Sequence, residues 1–203
     1  MRIGIDFDNT LIDYDRVFLA AARERGLVVA DFIGAKRALR DAIRLLPDGE
    51  LTWQRLQGYV YGAGIGGAVP FAGAIEFLRR CARENVSTYI VSHKTRHGHH
   101  DPARVDLHEA ARGWMTTQGF FRAEDGALPP DHVFFEEDRG QKLARIAALG
   151  CTHFIDDLEE VFADQHFPSG VKRILFAEAG AECCDVLCAD WREIAGAVFC
   201  DAS

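Results

Sequence analysis

The sequence predicts an α/β protein, a parallel sheet with helices on both faces, interrupted after its first strand by a small helical insertion. Three observations carry that prediction. Short apolar runs alternate with helix-like segments along most of the chain, the pattern of strand–crossover–strand units. The first such run, Ile3-Gly4-Ile5, is continuously apolar and stops at carboxylates, as a strand buried on both faces does. Residues 14 to 68 hold helical patterns and no strand.

In order, Arg2 to Asp8 forms the first strand. Tyr14 to Gly26 reads as a helix with Val17, Phe18 and Ala21 on one face and Gly26 as its stop. Ala35 to Leu46 is a second amphipathic helix, closed by Pro47-Asp48-Gly49, and Leu51 to Tyr61 a third. A glycine-rich loop, Gly62 to Gly67, leads to a helix over Pro70 to Glu84 with Ile75, Leu78 and Ala82 as its stripe. Val86 to Val91 is a strand by its β-branched content and ends at Ser92. A histidine-rich loop, His93 to Pro102, precedes a helix from Arg104 to Gln118, and the turn residues Asp125-Gly126 and Pro129-Pro130 mark Gly119 to Asp131 as loop. Strands at 133–135, 152–155 and 171–176 then alternate with helices at 140–149, 159–165 and 191–199. The organisation expected is a sheet domain of residues 1–13 plus 69–203 and a helical cap of residues 14–68.

Composition narrows the possible roles. A chain of 203 residues that is 48% hydrophobic has room for one domain and a modest insertion, and needs no disulfide or structural metal to fold. No apolar run approaches the roughly 18 residues of a membrane span, so no membrane partner is expected. Acidic residues outnumber basic ones 31 to 23, a net charge of −8, which disfavours binding to nucleic-acid backbones. Cys81, Cys151, Cys183, Cys184, Cys188 and Cys200 include no CxxC pair. Met1 to Asp6 is not a signal peptide, so the thiols read as reduced and the protein as cytoplasmic.

In an open parallel sheet, ligands bind beyond the carboxyl ends of the strands. Asp6 and Asp8 stand there after the first strand, Ser92 after the second, and Asp156 and Asp157 after the fourth, with Lys142 on the helix leading into that fourth strand. One Asp-x-Asp pair alone decides nothing, and Asp13-Tyr14-Asp15 is another, read as a helix cap and first-turn acid. Carboxylates closing two strands, with a hydroxyl closing a third, are more specific. Acids gathered in one crevice repel each other unless a divalent cation neutralises them, and all-oxygen ligation points to Mg²⁺. Beside such an ion a carboxylate can attack phosphorus, a hydroxyl and an ammonium can hold the phosphoryl oxygens, and a second carboxyl can move the proton.

The run Ile3-Gly4-Ile5-Asp6-Phe7-Asp8-Asn9-Thr10-Leu11-Ile12 resembles the first motif of the haloacid dehalogenase-like (HAD) hydrolase superfamily, whose core is a Rossmann-like sheet. Tyr89-Ile90-Val91-Ser92 is similar to its second motif, Lys142 to its third-motif lysine, and His153-Phe154-Ile155-Asp156-Asp157 to its fourth. The order is right, and the matches run from residue 3 to 157. The resemblance implies Asp6 as nucleophile and metal ligand, and Asp8 as acid/base and a metal ligand through its backbone carbonyl. It implies Ser92 and Lys142 on the phosphoryl group, Asp156 on the metal, and Asp157 supporting the metal directly or through water. Halide-removing members lack the second Asp, so Asp8 favours phosphomonoester hydrolysis, with a small phosphorylated metabolite as substrate. Lys94, Arg139 and Arg145 are rivals for the Lys142 role.

Other signals compete. Gly62-Ala63-Gly64-Ile65-Gly66-Gly67 is a literal GxGxxG, but a dinucleotide site needs a preceding strand and an acid closing the next one, and Ser92-His93 closes it here; a hinge between cap and core is the plainer reading. His93, His97, His99, His100 and His108 could hold a transition metal, or form a solvated loop of variable charge. Because that loop begins directly after Ser92, His93 or Lys94 is expected to touch the substrate or its phosphate. Trp53, Tyr59 and Tyr61 either stack on a substrate or form the core of the helical segment. From a different class, a phospho-accepting receiver domain also places acids, a hydroxyl and a lysine around Mg²⁺, but without such an insertion. A catalytically silent phosphate-binding protein is the third alternative.

Overall fold

A computed structural model describes residues 1–101, 103–122, 128–179 and 182–199. Its elements in chain order are β1 (Arg2–Ile5), β2 (Ile12–Asp13), α1 (Asp15–Glu24), α2 (Lys36–Arg44), α3 (Gly49–Tyr61), β3 (Val69–Pro70), α4 (Ala74–Arg83), β4 (Ser87–His93), α5 (Leu107–Thr117), β5 (Val133–Glu136), α6 (Arg139–Ala148), β6 (His153–Asp156), α7 (Glu159–Phe162), β7 (Lys172–Phe176), β8 (Val186–Cys188) and α8 (Trp191–Phe199). They fall into two units: Met1–Ile12, Pro70–Lys94 and Gly119–Ser203 form one, and Asp13–Val69 with Thr95–Gln118 the other. The Asp125-Gly126 turn and Cys200 lie outside the described residues.

The first unit holds a six-stranded sheet in the order β5-β4-β1-β6-β7-β8, and its pairings are parallel. The chain moves outward from β1 to β4 and β5, then returns to β6 on the other side of β1. The gap between β1 and β6 is therefore the point where strand order reverses, the place where open α/β sheets build their sites. Register aligns Ile5, Ile90, Ile155 and Ile174 in one row across four strands, all fully buried. Val91, Phe154 and Leu175 pack with Leu143 and Ile146 of α6 and with Val161 and Phe162 of α7 in a single core cluster. Fully burying one such side chain stabilises the fold by roughly 1.5–3 kcal/mol. Glycine at position 4 is dictated by this packing, because a Cβ there would stand 2.5 Å from a ring carbon of Phe154.

The second unit is helical, built from α1, α2, α3 and α5. Phe18, Leu39, Ile43, Trp53, Leu56 and Val60 form its buried interior, with Phe18 stacked on Trp53 at 5.0 Å and Tyr14 edge-on to Tyr61 at 4.9 Å. Trp53 and Tyr61 thus serve the packing of the helices. Trp114 of α5 donates its indole N–H to the Ala68 carbonyl at 3.0 Å. The helical unit therefore includes residues 95–118, which the sequence reading assigned to the sheet domain. The GxGxxG stretch follows α3, not a strand, and ends in a 3₁₀ turn at Ile65–Gly67, so the geometry of a dinucleotide loop is missing.

Two further differences concern short elements. A sixth strand, β8, extends the sheet beyond the last strand expected, and β2 and β3 form a two-stranded ribbon of two residues each. None of the described helices is long and apolar enough to cross a membrane. The five described cysteines are free thiols.

Candidate active site

The chain leaves β1 with the Asp6 N–H donating to the Ile155 carbonyl at 2.9 Å, so the ladder between β1 and β6 carries Asp6 to the reversal point. A tight turn follows, with the amides of Leu11 and Ile12 both donating to the Phe7 carbonyl. That turn needs a left-handed residue, and Asn9 supplies it at φ 58°; asparagine tolerates that region better than most side chains. Trp191 closes the turn from α8 by donating its indole N–H to the Thr10 carbonyl at 3.1 Å. Thr10 in turn donates its hydroxyl to Asp157 Oδ1 at 3.3 Å.

Asp6, Asp156 and Asp157 each offer a carboxylate oxygen within 4.8 Å of the others'. Asp6 is 3% exposed and Asp156 wholly buried. Lys142 reaches them from α6, a helix whose N-terminus is set by the Asp138 carboxylate accepting the Gln141 N–H at 2.8 Å. Its ammonium lies 2.6 Å from Asp6 Oδ1 and 2.7 Å from Asp156 Oδ2, with no solvent exposure. The Leu158 N–H donates to the other Asp156 oxygen at 3.0 Å. Ser92 lies buried in β4, a strand hydrogen-bonded directly to β1. Asp8 lies two residues beyond Asp6, and both its oxygens accept from the Lys94 ammonium, at 2.9 and 2.8 Å.

Of the eight residues expected from sequence, Asp6, Asp156, Asp157 and Lys142 thus form one cluster, and Asp8 and Lys94 a second, paired one. His93 ends β4 with its Nδ1 buried and without a hydrogen-bond partner among the described residues. Of the lysine's rivals, Lys94 is held by Asp8, and Arg145 donates to Glu136 at 2.7 Å. The remaining histidines do not assemble with acids into a metal cluster: among the described residues the carboxylates of 6, 156 and 157 alone do so. His97 instead bonds the Val105 carbonyl at 3.2 Å, and His99 and His100 are exposed. Trp191, 181 positions from the turn it closes, carries no signal in the sequence that could have linked the two.

Electrostatics follow from this packing. Burial pushes the Asp6 carboxyl up from 3.8 to about 6; Lys142 opposes the rise, and Asp156 and Asp8 add to it. Burial works against the Lys142 charge, yet Asp156 and Asp6 overcome it and hold the ammonium more firmly protonated than usual. Burial lowers His93, as do Lys142 and Arg139, against the pull of Asp6 and Asp8. When all groups are ionised, the four carboxylates outweigh the ammonium groups of Lys94 and Lys142 by two charges. The donor set is all oxygen and its deficit is that of one divalent cation. Hard cations such as Mg²⁺ suit it.

The chain matches no protein-family model, and no curated protein is similar to it in sequence. Solved structures do share its fold. A haloacid dehalogenase-like hydrolase from Streptococcus pneumoniae superposes with a TM-score of 0.61 at 13% identity, over 95% of both chains. A HAD-family hydrolase from Deinococcus radiodurans, solved with bound phosphate and sodium, gives 0.54 at 17% identity, over 97% of this chain and 94% of that one. A predicted phosphoglycolate phosphatase from Haemophilus somnus gives 0.52 at 15% identity, over 95% of each. The architecture is that of the HAD hydrolases.

Proposed function

We propose that this chain is a Mg²⁺-dependent hydrolase of small phosphate monoesters that works through an aspartyl-phosphate on Asp6. The observation that carries the reading is the buried arrangement in which Lys142 bridges Asp6 and Asp156 at the strand-order reversal, with Asp8 two residues away. The HAD-hydrolase architecture and the phosphate bound by one neighbour support it.

Asp6, Asp156, Asp157 and the Asp8 backbone carbonyl would hold the cation, which supplies charge neutralisation for two anions brought together. Asp6 attacks phosphorus as the bond to the leaving oxygen breaks, and Asp8 gives that oxygen its proton. Water then attacks the aspartyl-phosphate, Asp8 takes a proton from it, and the Asp6–phosphorus bond breaks to release phosphate. Ser92, His93 and the Lys142 ammonium hold the phosphoryl oxygens, so that negative charge developing on them is met by donors already in place. Burial, with the repulsion of Asp156 and Asp8, raises the Asp6 carboxyl, and a cation held there would offset that cost.

We infer a cytoplasmic setting, with neither nucleic acid nor membrane as partner. The free thiols support that setting, and the acidic charge supports the lack of a nucleic-acid partner. The test is turnover of p-nitrophenyl phosphate and a panel of phosphorylated metabolites, with Mg²⁺ and again with EDTA. Turnover is expected with Mg²⁺ only, and none from Asp6→Asn. A stable phosphoprotein without turnover identifies a receiver-like role instead, and wild-type turnover by Asp6→Asn removes the nucleophile.

A further inference from the structure

Lys94 is a cation that the proposed reaction does not yet use, and its surroundings are unusual. Its backbone N–H donates to the Glu136 carbonyl at 2.8 Å, one residue past the end of β4, so its Cα is fixed on the sheet. The side chain turns inward until only 3% of it is exposed, over the Phe7 ring with Nζ 5.6 Å from the centroid. A buried ammonium is costly unless it is paired. The pairing chosen here is with Asp8, both oxygens within 2.9 Å, which takes two of the three ammonium donors. The Asp8 carboxyl is itself 21% exposed and sits on the turn that Asn9 and the Phe7 carbonyl make. It is anchored on one side by backbone and on the other by a side chain from the neighbouring strand.

We propose that Lys94 is a positioning residue, not a phosphate ligand: it fixes the direction in which the Asp8 carboxyl meets the leaving oxygen. This rests on the phosphatase reading above. In the first step Asp6 bonds to phosphorus as the bond to the leaving oxygen breaks with its electron pair on that oxygen. Asp8, protonated on one carboxyl oxygen while the other still accepts from Lys94, passes its proton to the leaving oxygen. Asp8 then stands as a carboxylate, which Lys94 holds while it accepts a proton from the attacking water. Misplacement of a reacting group by about 1 Å can cost on the order of 10²-fold in rate. The effect must depend on the leaving group. An alkoxide needs the proton to depart, whereas p-nitrophenolate leaves as an anion without one.

The experiment compares glycerol phosphate with p-nitrophenyl phosphate, both with Mg²⁺, for wild type, Lys94→Met, Lys94→Gln and Asp8→Asn. For Lys94→Met, kcat/KM on glycerol phosphate is expected to fall roughly 10- to 100-fold, a part of the 10²–10⁴-fold that general acid catalysis supplies in full. Its kcat/KM on the aryl ester, which reports phosphoryl transfer and not the later hydrolysis that Asp8 also serves, should change less than about 3-fold. Asp8→Asn should lower kcat on both esters, because the same carboxyl activates the hydrolytic water, and its kcat/KM more on the alkyl than on the aryl ester. Lys94→Met added to it should lower the alkyl kcat/KM no further than about 2-fold, because the two residues act as one unit. If Lys94→Met fails to fold by circular dichroism, Lys94→Gln carries the same comparison. An equal loss on both esters with a raised KM makes Lys94 a phosphate ligand and overturns the proposal, as does an unchanged alkyl-to-aryl ratio. A wild type inactive on both esters overturns the phosphatase reading itself, and the Lys94 role with it.

Discussion

Replacing Asp6 by Asn should stabilise the metal-free protein while abolishing its activity. Asp6 titrates near 6 in the fold, against an ordinary 3.8, because burial disfavours its charge more than Lys142 favours it. Below about pH 4 both the folded and the unfolded chain hold this proton. As pH rises towards 6 the unfolded chain sheds it and the folded chain keeps it, so the contribution to stability falls with rising pH across that window. At about 1.4 kcal/mol per pH unit, the full loss above pH 6 is about 3 kcal/mol. Asn is neutral at every pH and imitates the protonated acid, so it escapes that loss. The assay is urea unfolding of both proteins in EDTA from pH 4 to pH 8. The variant's advantage should grow across pH 4–6 and level off at about 3 kcal/mol, or roughly 6–12 °C in melting temperature for a chain of this size. Adding Mg²⁺ at pH 8 should narrow the gap by stabilising wild type more than the variant. A difference that stays flat with pH, or a variant less stable than wild type at pH 8, would refute burial of an uncompensated charge at this position.

Two more outcomes test the scaffold. Gly4→Ala puts a methyl 2.5 and 2.8 Å from Phe154 ring carbons and 3.1 Å from the Cys151 sulfur; a loss of about 1–3 kcal/mol is expected from urea unfolding, with Phe154→Leu recovering part of it. Lys142→Met leaves the buried Asp6 and Asp156 without their shared cation, so thermal unfolding at pH 8 should show a loss of about 3–5 kcal/mol, and turnover should be undetectable.

The strands that build the site were readable because each is a short apolar run cut off by a polar group: Ile5 by Asp6, Val91 by Ser92, Ile155 by Asp156. Such a break is local in sequence and survives whatever the rest of the chain does. β8 was not readable, since it is three residues long and its middle residue, Leu187, is 42% exposed at the edge of the sheet. Too little periodicity exists in three residues to mark a strand. Residues 95–118 belong with the helical unit through contacts such as Trp114 with Ala68, 46 positions away, and no local pattern encodes a contact of that span. Lys142 could be singled out only by motif, because a lysine beside Leu143 on an amphipathic helix normally bends its charge out to water. Here two buried carboxylates hold it inside instead, and one of them comes from 136 positions upstream. The Lys94–Asp8 pair was hidden for the same reason: the sequence placed both residues at strand ends but not which groups would face each other.

These features share one physical origin. Parallel strands end their hydrogen bonding on the same side, so β1, β4 and β6, adjacent in the sheet, deliver Asp6, Ser92 and Asp156 to one edge whatever their separation in the chain. Packing that serves the fold would place apolar groups there. This chain instead gathers carboxylates, two buried ammonium groups and an imidazole nitrogen with no partner among the described residues, a concentration of polar groups that lowers the stability of the fold. Local rules of stability are broken where a site needs charge ready before its ligand arrives. Asp6 carries that conflict: burial raises its pKa and excludes the water that would screen it from the cation and phosphoryl group proposed to bind there. Substituting the acid should therefore separate the two properties, giving a fold that is more stable and chemically inert.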